Sequence, residues 1–189
     1  MSRLSFFLNY LSDPRIATLA ATPQTVVKKV CRGIDFSKDM IVVEYGPGDG
    51  AYTRYLLNTM TRKSRLIAIE TNKRFKVQLK KIDDRRLTVA NDDARNVLRI
   101  LRQNGLERVS YVISGIPFSL MNRQAIQSII LDTSEALESG GKLLVYQFSS
   151  CVKKYLKRYF NNVSMRLELG LPYYYVFEAW NSYYIRVGA

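Results

Sequence analysis

The chain has 189 residues, of which 47% are hydrophobic and 24% are charged, and these values predict one globular domain spanning 1–189. Its 29 Lys and Arg against 16 Asp and Glu give a net charge of +13, which predicts attraction to nucleic acid or to an anionic membrane surface. It has no histidine, and its two cysteines show no metal-ligand spacing, so Ser-His and Cys-His hydrolases and most zinc chemistry are excluded.

The N-terminal segment 1–20 is predicted to be amphipathic and to face a membrane. Its apolar side chains follow the i, i+3, i+4, i+7 spacing of one helix face: Leu4, Phe7, Leu8 and Leu11. Arg3 stands at the start, and Phe6 and Tyr10 suit the boundary between lipid headgroups and acyl chains. The start, MSRLSFFLNYL, is too short and too polar for a signal peptide, and no apolar run reaches the ~20 residues of a membrane span. We therefore expect a cytoplasmic monomer that binds the inner face of the cell membrane peripherally.

Short β-branched runs alternate with helical patterns along most of the chain. The predicted strands are Met40–Tyr45, Arg65–Glu70, Leu87–Ala90, Val109–Ser114 and Lys142–Phe148. The helical patterns fall at 23–33, 51–60, 73–83, 93–104 and 121–138. This alternation predicts a parallel sheet with right-handed crossovers. Two further strand-like runs, Val163–Leu169 and Tyr174–Trp180, are separated only by the turn Gly170-Leu171-Pro172 and predict an antiparallel hairpin. The predicted fold class is therefore α/β, a Rossmann-like, mainly parallel sheet of seven strands.

A glycine-rich turn, in the sequence IVVEYGPGDGAYTRYLL, follows the first predicted strand. Gly46, Gly48 and Gly50 form G-x-G-x-G between a strand and a helix. A dinucleotide site needs G-x-G-x-x-G, and here the third glycine comes one residue early. Asp49 also places a negative charge where a diphosphate would lie. The turn therefore predicts a cofactor with an amino-acid tail and no phosphate.

Carboxylates follow the next two predicted strands. Glu70, at the end of the second strand, can accept from both hydroxyls of a ribose. In VANDDA, Asp93 can accept from the exocyclic amine of an adenine, while Asp92 or its main chain can contact the ring nitrogens. Taken singly, these carboxylates could also be solvated loop residues. As an ordered set they predict S-adenosylmethionine, with S-adenosylhomocysteine as product. The predicted cofactor contacts are Glu44, Tyr45, Gly46, Gly48, Gly50, Glu70, Thr71, Asp92, Asp93, Ala94 and Ser114.

The fourth predicted strand ends in VISGIPFS, at the place where a class I methyltransferase receives the methyl acceptor. Adenine amino-methyltransferases carry N-P-P-Y or N-L-P-Y here, and Gly115 occupies the Asn position. Glycine keeps the carbonyl but loses the side-chain amide. The carbonyls of Ser114 and Gly115 can still accept from an amine, and Phe118 can lie against it. The alternative is a structural turn with Phe118 in the core. The predicted acceptor-site residues are Ser114, Gly115, Pro117, Phe118 and Tyr146.

A basic segment, VKKYLKRYF, follows the fifth predicted strand. One side carries the apolar stripe Val152, Tyr155, Leu156 and Tyr159. The other side carries the cations Lys153, Lys154, Lys157 and Arg158. Each cation near an anionic membrane contributes about 1 kcal/mol, so we expect a weak interfacial contact. The alternatives are a core-packing helix with a solvated charged face, or an RNA contact.

Seven stretches in order carry a resemblance to a known family: FLNYLSDPRIATLAATPQTVVKKV, VVEYGPGDGAYTRYLL, IAIETN, VANDDA, VISGIPFS, LVYQFS and KKYLKRYFNNVSMRLELGLPYYYVFEA. They resemble the small bacterial phospholipid N-methyltransferases, relatives of the rRNA adenine dimethyltransferases. The S-G-I-P turn, the Q-F after the fifth strand and the L-P before the last strand are its more specific features. The resemblance implies methyl transfer from S-adenosylmethionine to the headgroup amine of phosphatidylethanolamine, toward phosphatidylcholine, at a phospholipid surface.

Three points stay open at the level of sequence. The acceptor amine must lose a proton, and the candidates for accepting it are Glu44, Asp49, Tyr146 or a relayed water. The faces that could hold a methylated cation are Phe118, Tyr146 and the run Tyr173–Tyr175, which could equally be strand filler. The alternative functions are an RNA adenine N6-methyltransferase, a methyltransferase for another amino lipid such as ornithine lipid, and a non-catalytic module that binds lipid or nucleic acid.

Overall fold

The computed structural model describes residues 22–168 and 173–182. The predicted amphipathic segment 1–20 with Arg3, and the turn Gly170-Leu171-Pro172, lie outside these residues. The helices are α1 (Gln24–Cys31), α2 (Ala51–Thr59), α3 (Lys73–Leu79), α4 (Val97–Gln103), α5 (Arg123–Ala136) and α6 (Lys153–Tyr159). The strands are β1 (Ile41–Tyr45), β2 (Arg65–Ile69), β3 (Leu87–Ala90), β4 (Val109–Ser114), β5 (Leu137–Gln147), β6 (Asn162–Glu168) and β7 (Tyr174–Trp180). Short 3-10 turns lie at Ala94–Asn96 and Phe118–Leu120.

All seven strands form one sheet in the order β3-β2-β1-β4-β5-β7-β6. Strands β1 to β5 are parallel, and β7 pairs antiparallel with both β5 and β6. The predicted fold class is confirmed, including the antiparallel hairpin at one edge. The strand order reverses between β1 and β4. In open α/β sheets, ligands bind outside the carboxyl ends of the strands at such a reversal.

Alternate residues of β1 face two separate cores, one on each side of the sheet. Val43 and Tyr45 belong to the core covered by α4, α5 and α6, whereas Val42 belongs to the core covered by α1 and α2. On the first side, Tyr45 Oη and Thr133 Oγ1 of α5 are 3.0 Å apart and hydrogen-bonded. The sheet is therefore buried on both faces, as continuous apolar strands predict.

Strand β5 begins earlier than the sequence pattern predicts. Helix α5 ends at Ala136, two residues before the predicted end, and β5 runs from Leu137 instead of Lys142. Its pairing with β4 shifts register between Val109 and Tyr111. Gly140, with φ of 78°, lies within the extra segment. The segment has exposed residues and two glycines, so it lacks the apolar alternation that identifies a strand.

Helix α6 packs its apolar stripe into the core on the α4–α6 side. Val152, Tyr155 and Leu156 are buried there, so this stripe is not available to a membrane. The alternative of a core-packing helix therefore holds for the apolar side. Its cations remain at the surface, with Lys154, Lys157 and Arg158 exposed and Lys153 half-buried. No helix within residues 22–168 and 173–182 is long and apolar enough to cross a membrane.

An ionic cluster on the hairpin fixes helix α1 against the sheet. Arg166 of β6 donates to the carbonyl of Lys29 at 2.8 Å and to the Glu168 carboxylate at 3.1 Å, and it also pairs with Glu178 of β7. Glu168 forms further ion pairs with Lys29 and Arg32, at 3.6 and 3.5 Å. The last turn of α1 is thereby bound to the antiparallel edge.

Arg86 performs a similar task for α2, the helix that follows the glycine turn. Its Nη1 donates to the carbonyls of Met60 and Thr61 at 2.9 and 3.0 Å, and its Nη2 donates to the carbonyl of Leu57. Asp84 accepts from its Nε at 3.0 Å. The planar guanidinium thus donates to several carbonyls at the C-terminal end of α2. The last carbonyls of a helix have no intrahelical N–H partner.

We expect Arg86→Lys to lower the free energy of unfolding by about 2 kcal/mol, because an ammonium cannot donate to the three carbonyls and Asp84 in one plane. Urea denaturation measures this change. The matched control is Arg85→Ala, which changes an exposed neighbour and should stay within ~0.5 kcal/mol of the parent. Equal effects of the two substitutions would contradict the capping role of Arg86.

Candidate functional site

The glycine turn after β1 is the first part of the candidate site. Gly46, Gly48 and Gly50 have φ of 67, 56 and 82°, in the left-handed region that favours glycine. A Cβ at Gly46 would lie 2.9 Å from Cγ2 of Ile116, so this turn contacts the turn after β4. A Cβ at Gly48 would meet nothing within 4 Å, which leaves open space above the turn. The glycines therefore provide both the backbone conformation and room for a ligand.

Glu70 joins the glycine turn to the end of β2. Its Oε2 accepts from Gly48 N at 3.1 Å, and its Oε1 accepts from Asn72 N at 2.7 Å. Asn91, at the end of β3, donates through Nδ2 to the carbonyls of Glu70 and Thr71 at 2.7 and 3.0 Å. The predicted strand ends therefore do come together. Asn91 was not among the predicted residues, although a polar residue directly after a strand was the available signal.

Asp92 and Asp93 are already paired with side chains of the next turn. Arg95 donates to both oxygens of Asp93, at 2.9 and 3.0 Å, and lowers the pKa of that carboxyl. Asn96 donates to Asp92 at 2.7 Å, which lowers the pKa of Asp92, and Arg99 pairs with its other oxygen. Both carboxylates are therefore ionised, and an adenine would share Asp93 with Arg95. The neighbouring Ala94 is buried in the core.

Glu44 is a buried carboxyl directly below the glycine turn. Thr53 Oγ1 donates to its Oε2 at 2.6 Å, and its Oε1 has no hydrogen-bond partner among the described residues. Burial raises the pKa of Glu44 to about 8, and the nearby charges of Asp49 and Glu70 add to this rise. Glu44 is therefore largely neutral at pH 7, unlike a solvated carboxylate. Thr53 was missed at the level of sequence.

The turn after β4 holds Ser114 and Gly115 at the carboxyl edge but directs Phe118 inward. Gly115 N donates to the carbonyl of Tyr45 at 3.1 Å, which fixes this turn beside β1. Pro117 precedes the 3-10 turn in which Phe118 lies, 1% exposed, within the α4–α6 core. The prediction that the Phe118 ring lies against an acceptor is therefore wrong, because that ring fills the core instead. Ser114 is fully buried, and its Oγ has no partner among the described residues.

Tyr146 of β5 fills the space beside Gly115. A Cβ at Gly115 would lie 2.2 Å from Tyr146 Oη and 2.7 Å from its Cζ. The ring of Tyr52, in the first turn of α2, stacks on Tyr146 with centroids 4.4 Å apart and planes at 19°. Burial, with a contribution from Glu44, raises the pKa of Tyr146 well above its usual value. Tyr146 thus keeps its proton at physiological pH, which removes it from the candidate proton acceptors. Tyr52 was not predicted.

The residues at this edge fit S-adenosylmethionine. The open space above Gly48 can receive a ligand, and the oxygens of Glu70 suit ribose hydroxyls. Asp49 disfavours a diphosphate, as the sequence predicts, and the buried carboxylate of Glu70 adds to this effect. The Oε1 of Glu44 is a further buried polar atom, without a hydrogen-bond partner in the described part of the chain.

Comparison with known proteins supports this assignment. The sequence model of the family described as "Ribosomal RNA adenine dimethylase" matches residues 20–98, which contain the glycine turn, Glu70 and Asp93. An ornithine lipid N-methyltransferase from Singulisphaera acidiphila is 24% identical over 156 residues, covering 81% of each chain. The ribosomal RNA small subunit methyltransferase A of Phenylobacterium zucineum is 30% identical over 97 residues, which are 50% of this chain and 32% of that protein.

A solved structure shares the fold at full domain length. The 1,6-didemethyltoxoflavin methyltransferase from Burkholderia thailandensis, solved with S-adenosylhomocysteine, superposes with a TM-score of 0.69 at 14% identity. The match covers 96% of this chain and 87% of that one. The fold is that of class I methyltransferases, and S-adenosylmethionine is the cofactor.

We expect Glu70→Ala to weaken the binding of S-adenosylhomocysteine by about ten-fold or more, because each hydrogen bond to a charged group contributes roughly 1.5–3 kcal/mol. Isothermal titration calorimetry measures the dissociation constant. Glu107→Ala, which removes an exposed carboxylate before β4, is the matched control and should leave binding unchanged. An unchanged dissociation constant in Glu70→Ala would remove Glu70 from the site.

The raised pKa of Glu44 predicts a stability that falls as pH rises. The folded state holds the proton up to about pH 8, whereas the unfolded chain releases it near the ordinary value of 4.5. Stability is therefore lost progressively between these two values, and the loss is complete above pH 8. Between about pH 5 and pH 8.5, Glu44→Gln should become more stable relative to the parent by roughly 3 kcal/mol.

Urea denaturation at several pH values tests this prediction. Glu107→Gln, an exposed substitution of the same kind, should show no such pH-dependent gain. Parallel pH profiles for Glu44→Gln and the parent would show that Glu44 ionises normally in the folded protein.

Proposed function

We propose that this S-adenosylmethionine-dependent methyltransferase transfers methyl groups to the headgroup amine of a phospholipid, from phosphatidylethanolamine toward phosphatidylcholine, at a membrane surface. The observation that carries the proposal is the composition of the acceptor turn. Gly115 provides no side-chain amide, and Tyr146 occupies the space that such an amide would need. The groups left to contact the acceptor are the main chain of this turn and the neutral hydroxyl of Tyr146. These groups suit a small aliphatic amine better than a nucleobase, whose recognition relies on an amide.

The relatives support an amine on a lipid. An ornithine lipid N-methyltransferase matches this chain over 81% of both chains. The match to the ribosomal RNA adenine dimethylase family ends at residue 98, before the acceptor turn. That match therefore concerns the half of the sheet that holds the cofactor, and it leaves the acceptor open.

The residues around the acceptor turn have distinct roles in the proposed reaction. When bound, the cofactor supplies a methyl group already activated by its sulfonium. The carbonyls of Ser114 and Gly115 accept from the amine and orient it. Tyr146 holds its own proton and so does not deprotonate the headgroup. Among Glu44, Asp49 and a relayed water, Glu44 has a pKa of about 8, so at neutral pH only its minor ionised form could accept the proton.

The surface of the chain is consistent with a lipid interface. The net charge is +13, and Lys154, Lys157 and Arg158 of α6 are exposed. Cations at this density are attracted to the anionic lipids of the inner leaflet. Together with the N-terminal segment 1–20 and Arg3, they are proposed to hold the protein, as a monomer, on the cytoplasmic face of the membrane.

Vesicles incubated with methyl-labelled S-adenosylmethionine test the proposed function. We expect label in the lipid fraction when the vesicles contain phosphatidylethanolamine, and none with vesicles of phosphatidylcholine alone. Thin-layer chromatography identifies the labelled lipid. Parallel reactions contain ornithine lipid vesicles or ribosomal RNA. Label confined to ornithine lipid would contradict phosphatidylethanolamine as the acceptor and support ornithine lipid instead. Label confined to RNA would support adenine methylation. No label in any reaction would contradict transfer to all three.

A further inference from the structure

We infer that Tyr146, held in place by Tyr52, is the specificity-determining residue of the acceptor site. Its hydroxyl sets the space around the acceptor nitrogen and thereby selects among amines that carry different numbers of methyl groups. This inference rests on the proposed function and deepens it. It concerns a contact between β4, β5 and α2 that joins residues far apart in the sequence.

The glycine at position 115 is required by space and not by backbone conformation. The φ angle of Gly115 is not positive, so alanine can adopt this φ angle readily. A Cβ there would nevertheless lie 2.2 Å from Tyr146 Oη, 2.7 Å from Cζ and 3.4 Å from Cε1. Contacts this short force a neighbour to move. The identity of residue 115 is therefore coupled to the position of the Tyr146 ring.

The Tyr146 ring has little freedom to move away. Tyr52 stacks on it at 4.4 Å, and Tyr52 is itself 2% exposed. The backbone of Tyr146 lies inside the sheet, where its antiparallel partner on β7 is Val176. Shifting the ring would disturb the stack with Tyr52 and the core on the α1–α2 side. The hydroxyl is thus held in a fixed position and limits the acceptor site on one side.

The fixed position of the Tyr146 hydroxyl has a chemical consequence for repeated methylation. Each transfer replaces an N–H of the acceptor by a methyl group, so the nitrogen donates fewer hydrogen bonds and needs more room. A fixed hydroxyl beside Gly115 favours the small primary amine, and a smaller side chain at position 146 leaves room for the methylated one. Aromatic rings at Tyr146 and Tyr52 can also attract the cationic forms.

Competing lipid acceptors test the inference directly. We compare kcat/KM for vesicles of phosphatidylethanolamine and of N,N-dimethyl-phosphatidylethanolamine in the parent protein, Tyr146→Phe and Tyr146→Val. Tyr146→Val should shift the ratio of the two values by about five-fold or more toward the dimethylated lipid, and Tyr146→Phe should shift it less. A merely structural role would lower both values together and leave the ratio unchanged, which would overturn the inference.

The second measurement combines a larger side chain at position 115 with a smaller one at position 146. Gly115→Ala alone should lower transfer to phosphatidylethanolamine by about ten-fold, because the added methyl group overpacks the contact with Tyr146. Adding Tyr146→Val should restore part of that loss, so the two effects are not additive. Ser119→Ala, an exposed change in the same turn, is the control and should retain activity. Calorimetry with S-adenosylhomocysteine checks that every variant keeps its cofactor site.

The outcomes separate the inference from the proposed function. Strictly additive effects of Gly115→Ala and Tyr146→Val, with active parent protein, would overturn the inference and leave phospholipid methylation standing. A parent protein that transfers no methyl group to any lipid would overturn both.

Discussion

The carboxylate of Glu70 joins two parts of the chain that must stay together for the cofactor site to exist. By accepting from Gly48 N and Asn72 N, it binds the glycine turn after β1 to the residues that follow β2. A turn with three left-handed glycines gives up much conformational entropy on folding, and this bond helps to fix it. Asn91 extends the same connection to β3. The carboxyl edge of the sheet is therefore one hydrogen-bonded unit.

The two halves of the site are built differently. On the side of β1, β2 and β3, polar side chains bond to main-chain groups, and the glycine turn stays open. On the side of β4 and β5, the dimensions depend on packing, because Tyr52 stacks on Tyr146 and a Cβ at Gly115 would overlap the Tyr146 hydroxyl. Between these halves lies Glu44, a carboxyl whose burial keeps it largely protonated at neutral pH. The two halves are in contact, because Gly46 lies against Ile116 and Gly115 N donates to the carbonyl of Tyr45.

Local patterns in the sequence were sufficient for the fold and for bringing the glycine turn and the carboxylates at the strand ends to one edge. The glycine turn and the acidic residues at strand ends follow from neighbours in the chain, and parallel strands bring their ends to one edge. The contact between Tyr52 and Tyr146 depends on sheet order, so no local pattern reveals it. The prediction that the Phe118 ring lies against the acceptor was wrong for a related reason. An aromatic residue after a turn can face either the site or the core. The early start of β5 was hidden by its exposed, glycine-containing residues.

The ionic cluster on the hairpin has a mechanical consequence. Arg166 connects the last turn of α1 to β6 and β7, at the opposite edge of the sheet from β3. Tension applied to the chain upstream of α1 is therefore transmitted into the antiparallel edge. Helix α1 also packs against α2, the helix that follows the glycine turn, in the core on that side of the sheet. Anchoring the upstream segment to another body would therefore load the antiparallel edge and helix α2 together.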